Sequence, residues 1–352
     1  MSAAPRVAVV VGAYSRGAYL REAVDSVLAQ SLPRDALEIL VTKNFSDPEM
    51  DAGFQRDGVS LRFDDTPRIG TWLLAAIRAT RAPIVALLDD DDLFAPDRLQ
   101  RALEVFDAHP DVGFYRNRVE IVDPSGRPTP VDSWPPRGRD RYFDARGPTY
   151  VGSGGKQDLV PLLFRETRVS FNSSTMAFRR ELLDGRRGEH FAETRLPDSS
   201  LLLNAVVSPY GLFLDDRRLT RHRVHPSNVT RNTGWLRWAI ESNRNFALEA
   251  REFARPDFAE FYERSAVHYD RMLRSGEMVD RMDGGAERRE IAQRAAEYAR
   301  FLARHPEERR WTRDVWGIEA YAASYLVSPG IARRVRRRRD TDLARGPSVP
   351  AG

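Results

Sequence analysis

Ile84-Val85-Ala86-Leu87-Leu88-Asp89-Asp90-Asp91-Asp92, followed by Leu93-Phe94-Ala95-Pro96-Asp97-Arg98-Leu99, sets five apolar residues directly against four carboxylates. A continuous apolar run of this length suits a strand buried on both faces, as in a parallel sheet. The acidic cluster then falls at the carboxyl end of the strand, the edge at which open α/β sheets bind ligands. At an effective dielectric of about 20, two like charges ~4 Å apart cost roughly 4 kcal/mol before relaxation. Such a cluster is tolerable if it holds a divalent cation, shares a proton or splays into water. Oxygen ligands favour Mg²⁺ or Mn²⁺. On this stretch alone, a solvated acidic turn capping the next helix stays open.

Outward from that strand, residues 6 to about 122 alternate between strand and helix patterns. Val7 to Val11 reads as a first buried strand, and Gly12-Ala13-Tyr14-Ser15-Arg16-Gly17 as a turn. Leu20, Ala23, Val24, Val27 and Leu28 then repeat at helical spacing up to Pro33. Leu37–Val41 and Val59–Phe63 are further strands, and residues 69–80 form a helix leading into Ile84. Leu99, Ala102, Leu103 and Phe106 mark the helix after the acidic cluster, with Val112–Tyr115 and Arg118–Val122 as a strand or hairpin beyond it. The fold class is α/β, a mostly parallel sheet flanked by helices. Residues 124–160, rich in Pro and Gly, are expected to be a mobile loop that orders on binding. Structure resumes with a strand at Ser174–Phe178, a helix at Ser199–Val207 and a short strand at Leu219–Val224. Residues 231–330 read as a helical C-terminal region, and 331–352 as a basic, disordered tail with six arginines between 331 and 339.

The 352 residues, 41% hydrophobic and 30% charged, describe a globular chain with no apolar run long enough to cross a bilayer. Without cysteine there is no disulfide, thiolate nucleophile or zinc-thiolate site, and with no signal-peptide pattern the expected location is cytoplasmic. The formal charge of +4 is carried almost wholly by arginine, lysine standing only at 43 and 156. Arginine suits anionic ligands; nothing points to nucleic acid.

The first strand with Gly-Ala-Tyr-Ser-Arg, the helix Tyr19-Leu20-Arg21-Glu22-Ala23-Val24-Asp25-Ser26-Val27-Leu28, and Leu87-Leu88-Asp-Asp-Asp-Asp with Pro96-Asp97-Arg98-Leu99 together resemble family 2 glycosyltransferases. The likeness is strong over residues 6–122, looser over 170–230 and absent from the C-terminal helices. It implies a GT-A (Rossmann-like) domain over residues 1–230 and inverting transfer from a nucleotide-sugar donor to a carbohydrate or lipid-linked acceptor. It further implies a DxD-type metal role for Asp89 and Asp91, with Mn²⁺ or Mg²⁺ on the donor diphosphate and Asp90 on its ribose. Asp92 is expected to start the next helix, where the dipole favours a carboxylate.

The same resemblance implies Tyr14 beside the donor base, Gly12 where ligand approaches the backbone, and Arg68 as a donor contact. Many members carry Asp-Asp-Gly-Ser after the second strand, whose first carboxylate reads the uracil imide. Here the stretch is Thr42-Lys43-Asn44-Phe45-Ser46. Lysine cannot accept that N–H, though the Asn44 amide oxygen can, so Lys43 is assigned to donor phosphate and the base is left open. Asp198, in Leu196-Pro197-Asp198-Ser199, is the general base the resemblance implies, with Glu193 in reserve. Capping the helix is its plainer role. The resemblance also implies His225 as a third metal ligand, with His222 as the alternate; His222, three residues back on a strand, is expected on the opposite face.

Other readings stay open at this stage. A non-catalytic sugar-nucleotide binding protein fits the missing base-reading carboxylate. A haloacid-dehalogenase-like phosphatase fits the apolar strand ending in Asp-x-Asp, with Asp215-Asp216 as its later acidic pair. A nucleotidyltransferase would want a richer glycine loop after the first strand. The aromatic C-terminal helices suit a helical core, an acceptor groove or a contact between two copies of the chain. The arginine tail suits either solvent or peripheral contact with the inner face of an anionic membrane.

Overall fold

The computed structural model describes residues 4–14, 17–129, 148–158, 172–225, 228, 234–306, 308, 312–330 and 332. Within it the apolar run is a central strand, β4 (Ile84–Asp89), buried from Ile84 to Leu88. β1 (Val7–Ala13) pairs with it in parallel on one side, and beyond β1 lie β2 (Leu37–Lys43) and β3 (Ser60–Phe63), all parallel. On the other side β8 (Met176–Arg179) runs antiparallel between β4 and β6 (Val112–Val122). β9 (Gly211–Arg223) is parallel to β6 and carries β5 (Leu93–Phe94) and β7 (Thr149–Val151), both antiparallel. The sheet is the expected α/β sheet with its parallel sets β3-β2-β1-β4 and β6-β9, made mixed by β8, which enters from the opposite end and divides them.

Register decides which side chains share a face. Ala86, Ala177 and Tyr115 are direct partners across β4, β8 and β6. All three belong to one core with Val7, Val9, Val11 and Ile39, covered by α1 (Leu20–Leu28) and α4 (Arg98–Ala108). Because successive side chains alternate, Asp89 and Arg116 leave the opposite face. That face receives α3 (Ile69–Ala79), whose Trp72, Leu73 and Ile77 are buried.

Several elements depart from the expected pattern. A helix the sequence reading lacks, α2 (Pro48–Arg56), starts at Asp47, whose carboxylate accepts from Met50 N, with Pro48 in its first turn. β9 begins at Gly211 rather than 219, because the charged run Asp215–Arg218 masks its first half. Within the expected loop at 124–160, the Asp123 carboxylate accepts from Ser125 N and Arg127 N in a turn, and Thr149–Val151 form β7. Residues 130–147 lie outside the described residues, as does all of the basic tail except Ala332.

Contacts divide the chain into two units, residues 1–228 with 245–261 and residues 229–244 with 262–352. After α5 (Arg186–Ala192) and α6 (Pro197–Val207) come α7 (Gly234–Glu252), α8 (Pro256–Asp283), α9 (Arg288–Arg304) and α10 (Thr312–Val327). The second unit has a core of its own around Met282, Ile291, Leu302 and Tyr325. Among the aromatics of this region Phe246, Phe258 and Tyr262 are buried, whereas Trp238 stays 43% exposed. No helix among the described residues is long and apolar enough to cross a membrane.

The start of α3 is anchored by close backbone approach. Gly70 N donates to Thr194 O at 3.1 Å, and a Cβ on Gly70 would stand 1.9 Å from Phe191 O. Gly70→Ala forces these backbones apart and is expected to lower stability by about 1–3 kcal/mol in urea unfolding.

Candidate active site

Asp89 is the last residue of β4, and the chain turns immediately, Asp92 N donating back to Asp89 O at 3.2 Å. The turn folds three carboxylates inward: Asp89, Asp91 and Asp92 each bring an oxygen within 4.8 Å of the others. Asp90, expected at a donor ribose, is instead only 4% exposed.

Asp92 carries the densest set of contacts. Its Oδ2 accepts from Asn172 Nδ2 and Ser174 Oγ, each at 2.7 Å. Its Oδ1 accepts from His222 Nδ1 at 2.9 Å and Arg223 N at 3.1 Å. Burial works to raise its pKa, but the charge and hydrogen bond of His222, with Ser174 and Asn172, outweigh it and hold the carboxyl below its usual value. Burial likewise works against protonation of His222, and Asp92 outweighs it, raising the imidazole. Asp92 therefore does not start a helix. β5 intervenes, and α4 begins only at Arg98 after Asp97. Nor does His222 face away from the cluster. β9 ends at Arg223, so alternation stops and both histidines reach the acidic turn, His225 Nε2 lying 3.0 Å from Asp91 Oδ2.

Asp89 differs. Its one side-chain bond among the described residues comes from Ser173 Oγ at 2.8 Å. Burial, then the charges of Asp92 and Asp91, push its carboxyl well above the ordinary range. Oxygen donors at this spacing, with one carboxylate favouring its proton, suit a hard divalent cation of about 2.1 Å bond length after small adjustment. Asp92 is the most heavily bonded of the three, and Asp89 and Asp91, with His225 alongside, are residues that could hold such an ion.

The other expected residues sit as follows. Gly12 is the register partner of Asp89 and of Thr42. A Cβ there would meet the Trp72 indole at 2.8 Å, so the protein's own packing requires this glycine. Tyr14, just past β1, is 46% exposed. Lys43, expected on phosphate, is buried. Its Nζ donates to Phe45 O at 2.6 Å and pairs with Asp51 at 2.8 Å, because α2 brings Asp51 to it. Asn44 is half-buried. Arg68 is the N-cap residue of α3 but makes no side-chain capping bond; it pairs with Glu193, Nη1 reaching Oε2 at 2.9 Å and the carbonyl at 3.0 Å.

Asp198 lies in the first turn of α6, whose N-cap is Leu196. Its carboxylate accepts from Ser199 N at 2.7 Å. Burial raises its pKa to about 6, against the pull of Ser199 and of the Arg116 charge. Arg116 is the register partner of Met176, two residues beyond Ser174, and so links Asp198 to the strand that grips the acidic turn. The later acidic pair is used elsewhere: Asp215 is buried against Arg101 at 2.7 Å and the Tyr115 hydroxyl at 3.1 Å.

Asn172, Ser173, Ser174, Arg223 and Glu22 went unread in the sequence. The polar run Asn172-Ser173-Ser174-Thr175 directly before a strand was the available signal, since buried hydroxyls and amides need partners.

Asp92→Ala strands several buried donors and is expected to cost about 3–5 kcal/mol in chemical unfolding. Asp89→Asn removes a carboxyl whose ionisation the fold resists. It is expected to raise the thermal midpoint at pH 8, with less gain at pH 4, where the wild-type group already carries its proton.

Residues 8–183 match the model of glycosyl transferase family 2. The chain is 29% identical over 186 residues to an uncharacterized glycosyltransferase of Nostoc sp., covering 51% of this chain and 52% of the relative, so it spans about half of that protein's length. Among solved structures it is similar to S. aureus TarS 1–349 in complex with UDP-GlcNAc (TM-score 0.53, 14% identity, 95% of this chain and 92% of that one). It is also similar to a Pyrobaculum calidifontis mannosyltransferase in complex with GDP-Man and Mn²⁺ (TM-score 0.50, 18% identity, 94% and 87%). Those likenesses establish a GT-A fold. With the family match over half of the chain and the carboxylate cluster at the end of β4, they show that this protein belongs to the family 2 glycosyltransferases.

Proposed function

We propose that the chain moves a sugar from a nucleotide-diphosphate donor to an acceptor hydroxyl with inversion, using Asp198 as general base. One observation carries the base assignment. Asp198 is not the N-cap of α6, and burial lifts its carboxyl to about 6, where it can accept a proton near neutral pH. Glu193 is less suited, being exposed and paired with Arg68.

Asp89 and Asp91 are the residues to hold Mn²⁺ or Mg²⁺, with His225 beside them. When bound, such an ion neutralises charge on the departing diphosphate. Asp92 has no part in ligation on this reading. It anchors the turn from which Asp89 and Asp91 project. Ser173 orients Asp89, and the Ser199 bonds with the Arg116 charge oppose the effect of burial on Asp198, whose carboxyl at about 6 is mostly ionised at neutral pH.

The neighbours in complex with UDP-GlcNAc and with GDP-Man support a nucleotide-sugar donor without choosing its base. With Lys43 committed to Asp51, donor recognition is assigned to Tyr14, Asn44 and Arg68, and β2 itself ends in a lysine rather than in a carboxylate that could read an imide. The acceptor is a carbohydrate or a lipid-linked sugar. Location at the cytoplasmic side of a membrane remains part of this proposal.

Asp91→Ala is expected to keep its circular dichroism spectrum yet lose Mn²⁺-dependent heat of binding for UDP or GDP, whichever the wild type binds; unchanged titration refutes the metal assignment. Asp198→Asn is expected to retain donor affinity and lose about 10² to 10⁴-fold in transfer rate. In the wild type the rate should fall as pH drops through about 6. Because the folded pKa is raised, the stability this group contributes is full at low pH and lost as pH rises through about 6, so Asp198→Asn should gain thermal midpoint at pH 8 relative to pH 5. A flat rate profile, or near-normal turnover in the variant, points to another base.

A further inference from the structure

Arg223, the last residue of β9, has no exposed surface, yet its side chain joins three separate segments. Nε donates to Asp91 O at 3.1 Å, in the middle of the acidic turn. Nη1 donates to Pro124 O at 2.6 Å, in the turn after β6. Nη2 donates to Glu22 Oε2 at 2.7 Å, in the first turn of α1. The guanidinium carbon lies 4.3 Å from the centroid of the Tyr19 ring, and that ring packs against His225 at 5.1 Å. Its backbone also serves the site, N donating to Asp92 Oδ1 at 3.1 Å and O accepting from Asn228 Nδ2 at 3.2 Å. Asn228 Oδ1 in turn accepts from His225 N at 2.7 Å.

These bonds converge on two groups, the Asp91 main chain and the His225 ring, which are 3.0 Å apart at Asp91 Oδ2. We propose that Arg223, with Glu22 as its counter-charge, is a positioning residue: it fixes the turn at Asp91 and, through Tyr19 and Asn228, the imidazole of His225, and so sets the geometry in which the acidic site takes a divalent cation. The proposal rests on the metal reading of Asp89 and Asp91. Arginine is needed because three acceptors in different directions match its planar fork, whereas a lysine ammonium has one nitrogen and cannot reach all three. Glu22 is needed because a buried guanidinium bonded only to carbonyls keeps its desolvation penalty uncompensated. Glu22 itself stays 55% exposed, so it can be changed without opening the core.

The test uses the full chain with Arg223→Lys, Glu22→Gln and, as a control at a distant ion pair, Arg101→Gln. Free Mn²⁺ is followed by electron paramagnetic resonance as protein is titrated in the presence of UDP or GDP. Amide hydrogen exchange is read over a peptide spanning residues 88–95. Glu22→Gln and Arg223→Lys are expected to weaken Mn²⁺ binding about tenfold or more, the range seen when outer partners of metal ligands are removed. They should also speed exchange at Asp91–Leu93. Arg101→Gln, which breaks a bond to Asp215 that involves none of Arg223, Glu22 and Asp91, should lower the thermal midpoint without changing either readout. Folded Glu22→Gln with Mn²⁺ affinity within twofold of wild type and unchanged exchange overturns the proposal, even if Arg223→Lys fails to fold. Wild type that takes up no Mn²⁺ overturns the metal reading instead, while the exchange rates still decide whether Arg223 and Glu22 order the turn.

Discussion

A carboxylate shut away from water must find donors for its lone pairs or give up its charge, and Asp92 and Asp89 answer that constraint in opposite ways. Asp92 gathers Asn172, Ser174, His222 and the Arg223 amide, and stays ionised. To do so it needs the segment before β8 and the end of β9 at one point. The antiparallel entry of β8 and the long run of β9 beside β6 follow from the same meeting. Asp89 receives one hydroxyl and leans towards its proton. The fold thus spends its hydrogen-bond donors on the carboxylate that holds the turn and leaves Asp89, the one proposed to meet the metal, under-compensated.

Local pattern made the first half of the chain legible. The apolar runs at Val7 and Ile84 are strands because nothing but a doubly covered sheet buries five apolar residues in succession, and α3 follows its periodicity to within a residue. Where charge and packing disagree with local pattern, legibility ends. Asp215 and Arg101 are buried as a pair 114 residues apart, so a run of charges that looks like a loop is half of a strand. α2 was missed because its apolar content is low and its start depends on one capping carboxylate, at Asp47.

Site residues divide along the same line. The residue types pointing to chemistry, Asp89, Asp91 and Asp198, were visible through the run of four carboxylates after an apolar strand and the family resemblance that this run carries. The residues that hold them were not, because a serine or an asparagine acquires its role only from what the fold brings against it. Lys43 shows the converse. Rarity in the sequence suggested a phosphate contact, but the ammonium is neutralised by Asp51, one turn into a helix that local pattern did not reveal.

That substitution bears on how donor choice could evolve in this fold. A carboxylate at the end of β2 is a base reader only while it points at the ligand; with lysine there, Asp51 and the Phe45 carbonyl draw the side chain to the α2 side of the sheet. On the proposed donor reading, the groups assigned to the base are Tyr14, an exposed ring that can stack on any base, and Asn44, a half-buried amide. Neither group is tied to the uracil hydrogen-bond pattern in the way an anion is. The acidic turn has no such freedom, because Asp92 and Arg223 pin it to α1, β8 and β9 at once. On the proposed reading, changing the end of β2 alters what is read at the base, while the carboxylates assigned to the metal stay bound to the integrity of the sheet.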